Sequence, residues 1–338
     1  MKLLTVVIPC HNAGKYLTRA VDSALGSSKE VEIIIIDSES KDGSSKVADD
    51  YCFLHPSIVR VIHKENMGTG DAINAALRMA EGIYFKVLEP TDILNKDALR
   101  QVINLLKTLK ETYNETDMLI TNYVVERVDS SDKKTIHYRS ILPQGKVFSW
   151  KQTGRFKVGQ YMPMHSVIYR TGLLRLSQME LPKYSIYYWY AYLFHPLPFI
   201  RKLYYLDADL LRHYQKKEEE AGTPDTAMAI ADQRVFISRE IMTMYKIRKV
   251  PGRKLRNYMA NMLAVIMAGS TVLLNSMHTK DSRERKREIW HYLRRQDFGL
   301  YLKIRYGILG QGANFPGLPG RNMTNFFYRS VKQLLGYD

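Results

Sequence analysis

Across the first hundred positions, short runs of aliphatic and β-branched residues alternate with segments of helical spacing. Residues 3–8, 31–36, 58–62 and 83–88 are almost continuously apolar, the pattern of strands buried on both faces. Between them, Leu17, Val21 and Leu25 fall on one helical stripe and Ile73, Leu77 and Ala80 on another. Strand and helix in strict alternation predict an α/β fold, a mostly parallel sheet with helices on both faces. Ligands of such sheets sit beyond the carboxyl ends of the strands. The candidate crevice is therefore lined by residues 9–12, 37–42, 63–70 and 89–92.

Downstream, helical spacing runs from Asp97 to about Lys110, and DMLITNYVVERV reads as a further strand. Residues 126–160 are polar and rich in turns. A helix is expected after MHSVIYR, and residues 184–199 and 203–214 are dense in aromatics. Residues 258–277 carry no charge and are long enough to cross a bilayer, but Asn261, Gly269, Ser270, Thr271 and Asn275 interrupt them. A buried or interfacial helix is the expectation. We divide the chain into an α/β domain, residues 1–220, and a helical basic region, residues 221–338.

Composition changes this picture in one respect. The chain has 338 residues and a formal charge of +16, yet residues 246–338 alone hold 18 Lys and Arg against 5 Asp and Glu. Basicity interleaved with Trp290, Tyr292, Phe298 and Tyr301 suits an anionic membrane surface or a solvated helix face. No zinc-finger, RRM or KH signature supports nucleic acid as the partner. Two cysteines, Cys10 and Cys52, form neither a disulfide framework nor a zinc motif. The opening MKLLTVVIPC stops at Pro9 and runs into His11 and Asn12, so it reads as a first strand and not a signal peptide. A cytoplasmic location follows, peripheral on the inner face of the cell membrane.

Among chemical motifs, GxSxG and HExxH are absent. Gly68-Thr69-Gly70 imitates a dinucleotide fingerprint, but Ile73 occupies the third glycine position. No organic cofactor is expected.

The ordered succession TVVIPCHNAGKYLTRAVDSAL, IIIIDSESKDGS, ENMGTGDAINAALRMAEGIYFKVLEPTD and LPQGKVFSW resembles the family 2 glycosyltransferases. That resemblance covers about the first 215 residues. It implies the GT-A fold, a Rossmann-like nucleotide-diphospho-sugar transferase architecture. It also implies inverting transfer of a sugar from a nucleotide-sugar donor to a glycan or lipid-linked glycan acceptor, in cell-envelope polysaccharide synthesis. Carried over by position, Pro9, His11 and Asn12 flank the nucleobase and Asp37 meets base or ribose. Asn66, Gly68, Asp71 and Asn74 lie by the nucleotide. A Mg or Mn ion, held by an acidic loop, would neutralise the leaving diphosphate.

Three positions depart from that pattern. The acidic loop reads Glu89-Pro90-Thr91-Asp92, leaving Glu89 and Asp92 as metal ligands and the neutral Thr91 at a usual ligand position. Ser38 replaces an acid in the second-strand turn. Trp189 stands where the acceptor-activating aspartate is expected, and no acid occurs from Lys183 through Leu206. His165, Asp207 and Asp209 are the remaining candidates for a proton acceptor, although each reads more readily as a core or turn residue. The alternative to an active transferase is a catalytically silent GT-A module that binds or scaffolds.

Overall fold

The computed structural model describes residues 1–26, 29–65, 67–127, 133–215 and 224–314. The chain forms two compact units: residues 1–154 with 162–217, and residues 155–161 with 218–338.

The first unit is built on one ten-stranded sheet. Its strands are β1 (Leu4–Cys10), β2 (Val31–Asp37), β3 (Val59–His63), β4 (Tyr84–Val87), β5 (Ile93–Leu94), β6 (Met118–Arg127), β7 (Lys133–Ile136), β8 (Val147–Phe148), β9 (Val167–Arg170) and β10 (Leu203–Gln215). The helices are α1 (Lys15–Ala24), α2 (Ser44–Leu54), α3 (Thr69–Met79), α4 (Lys96–Glu111), α5 (Thr171–Leu176) and α6 (Tyr188–Phe194). The main path of the sheet is β3-β2-β1-β4-β9-β6-β10-β5. β1, β2, β3 and β4 are mutually parallel, with β1 pairing Leu4 to Val31 and Cys10 to Asp37. Every residue of β1 and β2 is buried, as expected for strands covered on both faces.

The second half of the sheet is mixed. β9 runs antiparallel to both β4 and β6, and β10 runs parallel to β6. β10 therefore points the same way as β4, while β9 enters from the opposite end. The carboxyl ends of β4 and β10 and the amino end of β9 consequently share one edge of the sheet.

The second unit is helical: α7 (Pro224–Met244), α8 (Arg253–Ser276), α9 (Lys280–Gln296), α10 (Phe298–Arg305) and α11 (Ile308–Ala313). α8 is the one described helix long and apolar enough to cross a membrane, and 61% of its most apolar window is buried within the structure. The polar residues that interrupt it each hold a neighbour. Asn261 accepts from the Gly159 amide at 3.0 Å and donates to the Gln160 carbonyl at 2.8 Å. Ser270 meets Ser238 of α7, Thr271 accepts from the Trp290 indole of α9, and Asn275 donates to the Ala313 carbonyl of α11. Buried polar groups are tolerated where partners satisfy them, and here the partners are the packed neighbours of a central helix.

Candidate functional site

The tips of β1, β2 and β3 are stitched together by polar side chains. His11 Nδ1 lies 2.6 Å from the Ser38 carbonyl, and the Asn12 carboxamide oxygen accepts from the Lys41 amide at 2.8 Å. Asn12 has φ 49° and Glu39 φ 57°, left-handed conformations that bend both loops sharply. Asp37, only 1% exposed, ends β2. Its carboxylate accepts from the Ser40 amide and the Ser45 hydroxyl and lies 3.0 Å from His63 Nδ1 at the end of β3. Burial alone would raise its pKa, but the bonds from Ser40, Ser45 and His63 outweigh that and hold it below the usual carboxylate value. His63 is raised, first by Asp49 at 2.9 Å and then by Asp37.

The third crevice segment does something different from what its motif suggests. A Cβ at Gly68 would lie 1.8 Å from the Lys183 carbonyl oxygen, and one at Gly70 2.1 Å from that of Pro182. Asn74 is buried and commits both ends of its carboxamide to the Leu181 backbone at 2.9 Å. Asp71 lies 3.7 Å from Lys183 Nζ. The start of α3 is thus a bed for residues 181–184, the segment that leads into α6. Asn74 thereby fastens the Leu181 backbone to α3, and close backbone approach accounts for Gly68. Asn66 lies outside the described residues.

Beyond β4 the picture changes again. Glu89, Asp92, His165 and His213 each offer one ligand atom, and these atoms all lie within 4.8 Å of one another. The acidic loop supplies two, the turn before β9 the third and the end of β10 the fourth. Asp92 is 1% exposed, with Oδ1 2.8 Å from His213 Nδ1 and Oδ2 3.6 Å from His165 Nε2. Asp92 Oδ2 and His165 Nε2 are buried without a hydrogen-bond partner among the described residues. Two unsatisfied buried acceptor-capable atoms side by side are costly. A divalent cation would satisfy both, and two carboxylates with two imidazoles form a suitable donor set.

Electrostatics in the cluster are tightly linked. Burial, then the negative charge of Asp92, pushes Glu89 up to about 7. Burial lowers His165 well below the ordinary imidazole value, helped by the positive charges of His213 and Lys86, so it is a neutral ring. His213 is raised: burial opposes its charge, but the hydrogen bond and charge of Asp92 win. Lys86, fully buried in β4, donates to the His165 carbonyl at 2.9 Å; burial lowers it to about 7 against the pull of Asp92.

From α6 it is Tyr188, not Trp189, that reaches this cluster, its hydroxyl donating to Glu89 Oε1 at 3.1 Å. The Trp189 ring packs among Tyr187, Tyr188 and Tyr190 at centroid distances of 5.2 to 5.8 Å. Tyr188 is raised well above its ordinary value, chiefly by burial, and cannot serve as a base near neutrality. Asp207 and Asp209 both accept from the Asn122 carboxamide at 2.9 Å, and Asp207 also from Tyr205. They stand outside the four-residue cluster, whereas His165 belongs to it. Sequence reasoning missed Lys86, Tyr188 and His213. A lone lysine inside the apolar run IYFKVL was the one signal available for Lys86.

Comparison with known proteins bears on this geometry. The family model described as Glycosyl transferase family 2 matches residues 5–172. Glycosyltransferase GlyG of Streptococcus pneumoniae serotype 4 is 32% identical over 141 residues, 40% of this chain and 44% of GlyG. The minor teichoic acid biosynthesis protein GgaB of Bacillus subtilis is 28% identical over 118 residues, 34% of this chain and 13% of GgaB. This chain thus spans less than half the length of these curated relatives. The crystal structure of S. aureus TarS 1-349 superposes with a TM-score of 0.65 at 16% identity, covering 98% of this chain and 90% of that one, a likeness of fold. The parallel strands, the acidic loop after β4 and the matched segment agree, and through that segment the chain belongs to glycosyl transferase family 2, with the GT-A fold.

Proposed function

We propose that this chain transfers a sugar, with inversion, from a nucleotide-sugar donor to a hydroxyl of a glycan or lipid-linked glycan in cell-envelope polysaccharide synthesis. The observation that carries the reading is the Glu89, Asp92, His165 and His213 cluster at the carboxyl edge of the parallel strands, with its two unsatisfied buried atoms. GgaB, named for teichoic acid biosynthesis, and TarS, with a structure in complex with UDP-GlcNAc, support the substrate class.

In this reading the loops of β1 and β2 receive the nucleoside, with Asp37 held ready by Ser45 and His63. Asp92, His165, His213 and Glu89 hold the cation. Nitrogen donors favour Mn over Mg, which prefers oxygen ligands. Such an ion, when bound, stabilises the charge that develops on the departing diphosphate. Tyr188 orients Glu89, and the bed formed by Gly68, Gly70 and Asn74 holds the segment that positions Tyr188. The basic helical unit faces an anionic inner membrane surface. Phe298 and Leu302 on α10 and Tyr306 just past its end, spaced four residues apart and 54%, 40% and 60% exposed, supply apolar insertion beside Lys303.

Calorimetry with UDP-, GDP- and dTDP-sugars, with and without Mn, followed by a donor-hydrolysis assay, tests the proposal. Cation-dependent binding of one donor with slow hydrolysis is expected. Binding without turnover, whatever the acceptor supplied, would leave the silent module in its place. Sedimentation with phosphatidylglycerol but not phosphatidylcholine vesicles is the expectation for the membrane face, and equal recovery from both would remove it.

A further inference from the structure

The helical unit carries an open groove with a volume of about 510 Å³, lined by Lys286, Arg287, Glu288, Trp290, His291, Arg294, Tyr301, Arg305 and Asn314. Its volume falls in the range of small-ligand sites. Residues 287, 291 and 294 recur at helical spacing on α9, and Tyr301 and Arg305 stand one turn apart on α10. Two helices therefore turn basic faces into the same hollow. The single lining carboxylate, Glu288, is already paired with Arg239 at 3.0 Å. Lys286 donates to Asn275 at 2.9 Å. Arg287, Arg294 and Arg305 have no carboxylate within ion-pairing distance among the described residues; Arg294 rests over the Phe298 ring and Arg305 over that of Trp290, each at 5.7 Å.

Like charges gathered in a concave site repel one another and concentrate anions. Guanidinium groups match phosphate oxygens in a bidentate fork, and the indole and phenol of Trp290 and Tyr301 offer an apolar wall beside them. We propose that this groove binds a phosphate-bearing saccharide, the phosphate against Arg287, Arg294 and Arg305 and the sugar along Trp290 and Tyr301. Lipid headgroup phosphates lie in a plane and meet protruding groups, whereas a soluble phosphorylated chain can enter a hollow. The inference rests on the proposed sugar transfer in one respect: it makes the acceptor, or a product chain held between additions, a phosphorylated glycan.

The test is calorimetric titration of the full chain with glucose 6-phosphate, inorganic phosphate and glucose, and sedimentation with phosphatidylglycerol vesicles. Glucose 6-phosphate is expected to bind more tightly than inorganic phosphate, glucose not at all, and affinity to fall with salt. Arg294→Ala combined with Arg305→Ala is expected to weaken glucose 6-phosphate roughly tenfold or more while leaving nucleotide-sugar affinity and donor hydrolysis unchanged. Arg287→Ala, at an exposed position, gives a smaller loss in a chain whose packing is undisturbed. Glucose 6-phosphate binding that survives the double and the single substitutions, absence of binding to the native chain, or Arg-dependent binding to vesicles alone would each overturn the proposal. Absence of donor hydrolysis in the native chain, with Arg-dependent glucose 6-phosphate binding present, would instead overturn the transferase reading and leave the phosphate site standing.

Discussion

Two stretches of one sheet edge follow opposite rules. Around Asp37 every acceptor is used: Ser40, Ser45 and His63 engage both carboxylate oxygens, and Ser38 and Lys41 tie the β1 and β2 loops together. Around Asp92 the groups converge but are left unsatisfied, with Asp92 Oδ2 and His165 Nε2 buried and unbonded. Satisfied polar networks fix geometry; unsatisfied ones store binding free energy for a ligand. The first stretch is preorganised wall and the second is receptor.

Substitutions on the receptor side should carry the largest effects. Asp92→Asn removes the carboxylate that both imidazoles face, and a loss on the order of 100-fold in Mn affinity, with turnover falling at least as far, is expected by calorimetry and a donor-hydrolysis assay. A native-like Mn isotherm would break the contrast. Next comes Gly68→Ala, whose added methyl collides with the Lys183 carbonyl. A backbone neighbour cannot yield cheaply, so a destabilisation of about 2 kcal/mol is expected in urea melts, with loss of the Tyr188 contact to Glu89. On the wall side, Asp37→Asn should cost about 1–2 kcal/mol at neutral pH. The folded pKa of Asp37 is depressed, so its contribution is present above the unfolded carboxylate value and lost as pH falls through the folded one. The gap between native and variant melts should therefore close in acid; a gap constant with pH would show that the carboxylate charge is irrelevant.

Proton competition sharpens the same contrast. Glu89 is raised to about 7, so below that pH a cation must displace its proton. His213, whose pKa is also raised, must likewise shed its proton to bind the ion, so Mn affinity should rise by about tenfold or more per pH unit through about pH 7. Without the ion, the folded chain binds the extra proton between the unfolded carboxylate value and about 7, and the Glu89 contribution to stability falls as pH rises through that window. The smallest change is expected from Tyr188→Phe, a loss of a few-fold in Mn affinity as Glu89 loses one orienting bond.

How much of this could be read in the chain depends on range. β1 to β4 were legible because burial on both faces demands unbroken apolar runs, and the observed strands lie within two residues of the expected ones. α8 was legible as an apolar helix, but its buried place in the second unit was not, because Asn261 and Asn275 meet partners that helical periodicity does not announce. Glu89 and Asp92 were found through local succession. His213 was not, since a single histidine among the aromatics of β10 has no neighbour in sequence to mark it. The resemblance drew attention to Trp189, whereas Tyr188 reaches Glu89, because on a helix a shift of one residue turns the side chain by about 100°. Around Gly68 and Asn74 the structure shows a packing constraint set by residues more than a hundred positions away, which local succession does not announce.

Because β9 enters the sheet against β4 and β10 follows the direction of β4, the receptor side is assembled from residues 89, 92, 165 and 213. Those contacts close long loops, and long-range closure is slow and late in folding. A nascent chain stopped before Leu203 already carries the Asp37 network but lacks His213, so the four-residue cluster is complete only once the final strand has been laid down.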